Sequence, residues 1–276
     1  MVLDIILYIA LGIVAGFTAG LFGLGGGVTI VPGLLWIFVR LHFPDSIDMH
    51  LAEGSSLACM LFTSLSSAYK HYKLGNILWP VSRAMVGYVI TGVIIGAIVA
   101  WWLHGFWLTV IFLIYLVFVG VKMLRGAKAS KTTNHNTDPN KIPHHRIGGG
   151  ITGFSAGLLG IGGGTFTVPF LTYAKISMKN SIGTSTSLVF PVAVIGTIAY
   201  IITGYLHPEN PHIDWSTGFV YWPGVIVIGI SAAIFAQVGA KCTSFLPGPT
   251  LKKYFGWFVL LICVSLIWHL YKSWPY

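Results

Sequence analysis

Two glycine runs hold most of the chemistry this sequence can do. The first is Gly23-Leu-Gly-Gly-Gly27, followed by Val28 and Thr29. The second is Gly160-Ile-Gly-Gly-Gly164, followed by Thr165. Consecutive glycines reach positive φ and let a ligand touch the main chain. Where such a break opens a helix, the first backbone N–H groups lack an intrahelical acceptor. The helix dipole adds partial positive charge at the same place. Each run therefore predicts a donor set for an anion, built without lysine or arginine. The candidate binding residues are Gly25, Gly26, Gly27, Val28 and Thr29 in the first run, and Gly162, Gly163, Gly164 and Thr165 in the second. A dinucleotide or P-loop site does not fit: no GxGxxG lies in a strand–helix unit, and no GK[ST] follows either run.

Hydroxyls follow each run. Gly54-Ser55-Ser56 and Gly183-Thr184-Ser185 are expected to open the next helix, with Thr186 and Ser187 beside the second. Ser55, Ser56, Thr184 and Ser185 can bind the anion or cap the helix. His50 and Glu53 precede the first set; Lys179 and Ile182 stand at the matching places of the second. Glu53 reads as a proton-coupling site or as a loop carboxylate. His71 and Lys73 are expected to mark a cytoplasmic loop. His135, His144 and His145 fall in a polar stretch and read as solvated rather than metal-ligating. Cys59, Cys242 and Cys263 are scattered and odd in number, which suits small packing residues rather than disulfides or a metal site. No metal or cofactor is expected. Nor is an enzyme, since no apolar stretch holds an acid–histidine cluster or a nucleophile–base pair.

The elements that position these residues are membrane helices. Of 276 residues, 55% are hydrophobic and 8% charged, with a mean hydropathy of +0.81; soluble domains carry about 25% charged residues. Apolar runs of spanning length recur, and in lipid the backbone must satisfy itself as helix. Helical segments are expected at 2–22, 28–40, 54–72, 79–103, 106–124, 148–161, 165–174, 183–206, 217–240 and 251–272. Trp79, Trp101, Trp102, Trp107, Trp215, Trp222, Trp268 and Trp274 lie near segment ends, as interfacial anchors do. The N-terminus has no basic leader, so no cleaved signal peptide is expected. The net charge of +9 resides in loops and fits loop bias at a bilayer rather than nucleic acid as a partner.

The chain repeats itself. Gly16–Pro32 and Gly153–Pro169 share eleven of seventeen residues at an offset of 137, and Gly54-Ser-Ser aligns with Gly183-Thr-Ser at an offset of 129. Gly12, Gly16 and Gly20 match Gly149, Gly153 and Gly157, two stripes of the kind that let helices approach closely. The division is a first membrane repeat at 1–124, a cytoplasmic linker at 125–147 and a second membrane repeat at 148–276. If each broken element crosses the membrane, the repeats are parallel, and cytoplasmic lysines and arginines outnumber external ones ten to six. If each returns to its own side, the repeats are inverted, and all but Arg40 and Lys272 are cytoplasmic, fourteen to two. The positive-inside rule favours the second arrangement, with both termini outside. Residues 165–174 reach only about 15 Å as a helix, half a bilayer core. The expected fold is thus an all-α polytopic membrane protein of two inverted repeats. Each has a Gly-broken half-helix or re-entrant element followed by three transmembrane helices. Paired Gly-interrupted segments at matching places are where transporters bind substrate.

The paired GLFGLGGG and GLLGIGGG runs, each closing in Val-Pro, resemble the sulfite exporter TauE/SafE family. So do the two helix starts at Gly54-Ser55-Ser56 and Gly183-Thr184-Ser185 and the HYKLGN run from His71 to Asn76. The resemblance covers nearly the whole chain. It implies a multi-pass permease of the bacterial inner membrane for a small sulfur-containing anion such as sulfite or an organosulfonate. Ser55 and Phe62 stand where the family usually has threonine and proline. Function is therefore expected to be secondary transport of such an anion, with substrate and lipid bilayer as partners. The alternative is an anion channel built on the same half-helix dipoles.

Overall fold

A computed structural model describes residues 2–44, 46–125, 144–207 and 213–272. Met1, Tyr276 and most of the 125–147 linker, including His135, lie outside the described residues. Among the described residues ten helices form: α1 Val2–Phe22, α2 Gly27–Arg40, α3 Asp48–Lys73, α4 Trp79–Trp102, α5 Gly105–Arg125, α6 His145–Leu159, α7 Gly164–Tyr173, α8 Met178–Leu206, α9 Trp222–Phe245 and α10 Gly248–Lys272. A two-strand antiparallel hairpin, β1 Ser216–Thr217 and β2 Val220–Tyr221, precedes α9. Five of these helices, α1, α4, α5, α8 and α9, are long and apolar enough to cross a bilayer. The protein is an all-α polytopic membrane protein. Ile94, Ile95 and Ile98 on α4 and Ile226, Ile230 and Ile234 on α9 are exposed, an apolar surface that suits lipid.

The glycine breaks make helical hairpins. After α1, the chain turns and α2 runs back along it. Thr18 Oγ1 meets Thr29 Oγ1 at 3.2 Å near the bend, and Arg40 Nε meets Asp4 Oδ1 at 3.4 Å at the open end. In the second half Thr167 Oγ1 meets Thr152 Oγ1 at 3.3 Å, and the Phe170 ring covers Gly148. Both broken elements are therefore helical hairpins folded back at their glycines. The short α7 follows from where the chain must turn back.

The hairpins are exchanged between halves. The Gly12, Gly16 and Gly20 stripe of α1 packs on α9, and a Cβ at Gly16 would fall on Ala232 O. The Gly149, Gly153 and Gly157 stripe of α6 packs on α4, and a Cβ at Gly153 would fall on Val89 O. Here the glycines serve close helix approach, as such stripes do.

Helices α3 and α8 begin earlier than expected, at Asp48 and Met178 rather than at 54 and 183. Ser177 caps α8, its side chain accepting from Asn180 N. Gly54 and Gly183 are not helix starts but interior contact points: a Cβ on Gly54 would meet Phe219 O and one on Gly183 would meet Asn76 O. The expected helix at 217–240 likewise starts later, at Trp222, because the β-hairpin takes up 216–221. Helix α3 carries Ser55, Ser56, Thr63, Ser64 and Ser67, all buried. Ser55, Ser56 and Thr63 meet polar partners on neighbouring elements, whereas Ser64 and Ser67 have none among the described residues.

Candidate functional site

The two breaks meet at the centre of the molecule. Gly23, Gly25 and Gly26 have φ of 72°, 75° and 97°; Gly160 and Gly163 have 60° and 69°. This left-handed region is costly for any residue with a Cβ. Gly26 and Gly163 are the N-caps of α2 and α7. In the first half, backbone bonds resume with Thr29 and Ile30 N–H, both donating to Gly26 O. In the second they resume with Phe166 and Thr167, both donating to Gly163 O. The amides of Gly25 to Val28 and of Gly162, Gly164 and Thr165 have no such backbone partner among the described residues. The Gly163 amide differs: it closes a tight turn onto Ile161 O at 2.8 Å.

Each break is moulded on the other. Gly25 faces Gly162 across the centre, Gly27 lies against Gly160 O, and Gly164 lies against Gly23 O. Met60 Sδ from α3 and Val189 Cγ1 from α8 abut both Gly25 and Gly162. Met60 and Val189 are themselves mates at the offset of 129. Residues 21–28 and 160–165 are all buried. A cavity of about 70 Å³ between α5 and α7 reaches Thr165, with Lys122 and Tyr173 in its lining.

The hydroxyls predicted for the site are placed inside α3 and α8, not at helix starts, so they do not cap. Ser56 Oγ donates to Gly160 O at 2.9 Å, and Ser185 Oγ donates to Gly23 O at 2.8 Å. Each half ties down the other half's break. The single hydroxyl proton of each serine is thereby spent on a carbonyl, not left for an anion. Ser55 Oγ accepts from Tyr221 N at 2.9 Å, and Thr184 Oγ1 accepts from Leu78 N at 3.0 Å. These oxygens hold the segments just ahead of α9 and α4. Thr165 Oγ1 pairs with Tyr115 Oη at 2.8 Å.

Glu53 is not a loop carboxylate. It is a fully buried residue of α3, and its backbone and side chain pack on Gly160. Tyr200 Oη lies 2.8 Å from Glu53 Oε2 and 2.9 Å from Gly157 O. A phenol has one proton for these two acceptors. His71 is not in a loop either. It is buried in the last turn of α3, with Nε2 3.0 Å from Gly20 O and Nδ1 3.2 Å from Asn76 Nδ2. Tyr200 and His71 are mates at the offset of 129, and each holds the carbonyl of the last stripe glycine in the hairpin of its own half. Sequence reasoning missed Tyr200, although extending that offset to His71 would have found it. It also missed Thr63, which donates to Gly25 O at 2.7 Å. Among the described residues, no group of three His, Cys, Asp or Glu could hold a metal.

The chain resembles transport proteins along most of its length. It is 34% identical to a probable membrane transporter protein of Haemophilus influenzae, covering 95% of this chain and 97% of that one. It is 28% identical to one of Methanocaldococcus jannaschii, covering 85% of each, and 30% identical to one of Bacillus subtilis, covering 91% and 94%. No solved structure matches it. The sequence profile described as Sulfite exporter TauE/SafE matches residues 8–266, which takes in both glycine breaks and both exchanged hairpins. The chain therefore belongs to the sulfite exporter TauE/SafE family, whose members are membrane transporters and not enzymes.

Proposed function

We propose that this protein is a secondary transporter of a small sulfur-containing anion, such as sulfite or an organosulfonate, in a bacterial inner membrane. The observation that carries the reading is the pair of left-handed glycine breaks facing each other, with the amides of Gly25 to Val28 and of Gly162, Gly164 and Thr165 left without backbone acceptors among the described residues. Main-chain donors spread over two helix starts suit an anion whose charge is shared by several oxygens. Hairpins that return to their own side leave each half with an odd number of crossings. That supports inverted repeats, with Met1 and Tyr276 external and the linker cytoplasmic. Closure of both breaks by Met60 and Val189 favours an occluded carrier over an open channel. Glu53 beside Gly160 supplies a group that can take up and release a coupling proton.

A thermal-shift screen of the purified protein against sulfite, sulfoacetate, taurine, thiosulfate and sulfate tests the substrate class. A ligand that binds only the folded state raises the melting temperature with concentration. No shift with any of the sulfur anions, from protein that is folded and melts cooperatively, would remove the reading.

A further inference from the structure

The duplicated scaffold carries one titratable cluster in only one of its two equivalent places, and that cluster extends away from the break. His50 lies three residues before Glu53 on α3 and shares its helix face. Both are buried, His50 at 1% and Glu53 at 0% exposure. His50 Nε2 is 3.0 Å from Ala100 O, with the Leu103 carbonyl also near. A nitrogen facing a carbonyl must carry the hydrogen, so Nδ1 is the bare acceptor. Among the described residues neither His50 Nδ1 nor Glu53 Oε1 has a hydrogen-bond partner. Two orphaned polar atoms one helical turn apart call for an explanation, because a buried unpaired group costs about 1–3 kcal/mol.

The surroundings point outward. The His50 ring stacks on Phe219 of the β-hairpin at 5.1 Å and lies 5.8 Å from the ring of His207, which is half-buried at the end of α8. His104, just after α4, also acts on His50 electrostatically. Glu53 is fully buried, bonded by Tyr200 of α8, and has Asp48 five residues before it on α3. The mates of His50, Glu53 and Tyr200 in the other half are Lys179, Ile182 and His71. Lys179 is tied to Ser244 O, and Ile182 cannot titrate.

We propose that His50 relays the proton of Glu53 to the face of the protein that carries the β-hairpin, through His207. In the step, the Glu53 Oε1–H bond breaks and the His50 Nδ1–H bond forms, giving imidazolium and carboxylate; the two atoms share no direct hydrogen bond, so the proton crosses by way of one water molecule between them. Loss of the same proton towards His207 restores the neutral ring, and the reverse order loads the carboxyl. Transport thus has one proton site for two half-sites. This rests on the proton-coupled reading above.

Infrared spectroscopy of the purified full-length chain tests the relay without a substrate. The protonated-carboxyl band lost in Glu53→Gln belongs to Glu53, and its shift after transfer to heavy water reports proton exchange. His50→Gln keeps an N–H for Ala100 O but cannot carry a proton on a ring. It is expected to slow that shift by about a hundredfold, the low end for a positioned proton-transfer group. Lys179→Gln, at the mate position, is expected to leave the rate unchanged. If His50→Gln does not fold, His207→Asn is expected to slow exchange in the same way. Exchange at the wild-type rate in folded His50→Gln, or in folded His207→Asn where His50→Gln fails, overturns the relay. Slowed exchange supports it even if reconstituted vesicles show no sulfite flux, an outcome that removes the substrate reading alone.

Discussion

At the residue scale, Gly26 is the sharpest probe of the binding proposal. A Cβ there would sit 3.3 Å from Ile30 Cδ1, so space is nearly available and the cost lies in its φ of 97°. Forcing a side chain into this region costs about 1–2 kcal/mol, too little to unfold the protein. Gly26→Ala is expected to keep its folded yield while losing affinity for the sulfur anion found by thermal shift. Gly163→Ala also meets Thr152 Cγ2 at 2.7 Å and is expected to lose affinity with a larger drop in melting temperature. Wild-type affinity in folded Gly26→Ala would place the site elsewhere. Glu53 makes a second residue-scale prediction. Glu53→Gln keeps the size of the side chain and a partner for Tyr200. It is expected to leave anion binding intact and to flatten the pH dependence of flux in proteoliposomes. A pH profile parallel to wild type would take Glu53 out of the coupling. The glycine conformations were legible in the sequence because only glycine suits them. The buried state of Glu53 was not, because its partners Tyr200 and Gly160 lie far along the chain and no local pattern announces them.

At the element scale, helices α3 and α8 act as reciprocal clamps. Ser56 and Ser185 each hold a carbonyl in the break of the opposite half. Removing either hydroxyl leaves a buried carbonyl unpaired, at a cost of about 1–3 kcal/mol. For a chain of this size that corresponds to a drop of roughly 2–10 °C. Ser56→Ala and Ser185→Ala are therefore expected to lower the melting temperature by similar amounts, without abolishing anion binding. A loss of binding at unchanged stability would return these hydroxyls to the anion as direct donors. The starts of these helices were misread for a physical reason. Gly54 and Gly183 look like punctuation, yet they are helical residues stripped of side chains so that Phe219 O and Asn76 O can approach. A single sequence does not separate a glycine that breaks a helix from one that admits a neighbour. The consecutive glycines do interrupt the helices, as their adjacency suggested, since helix packing needs only spaced ones.

At the scale of the whole molecule, the proposed inverted arrangement predicts sidedness. Accessibility tags at Met1 and Tyr276 are expected to be cleaved by external protease once the outer barrier is opened, and a tag in the linker is expected to be protected. Protected termini would favour parallel repeats. The duplication was the most legible feature of the sequence, because offsets of 137 and 129 survive as matched contacts throughout the fold. What the offsets did not reveal is that each hairpin crosses to the opposite half.

That crossing has a consequence for synthesis. The glycine stripe of α1 packs on α9, so α1 leaves the ribosome well before α9 and waits for it before its main chain is covered. Until then it sits in lipid with its small-residue face unmatched, as does α4 until α6 arrives. The nascent first half is thus a client of whatever insertase or protease surveys incomplete membrane proteins. Residues 1–124 made alone are expected to be degraded, and the same fragment made beside 144–276 is expected to persist. Pulse–chase decay of the two halves, separately and together, would reveal how long the first half stays vulnerable before the second shelters it.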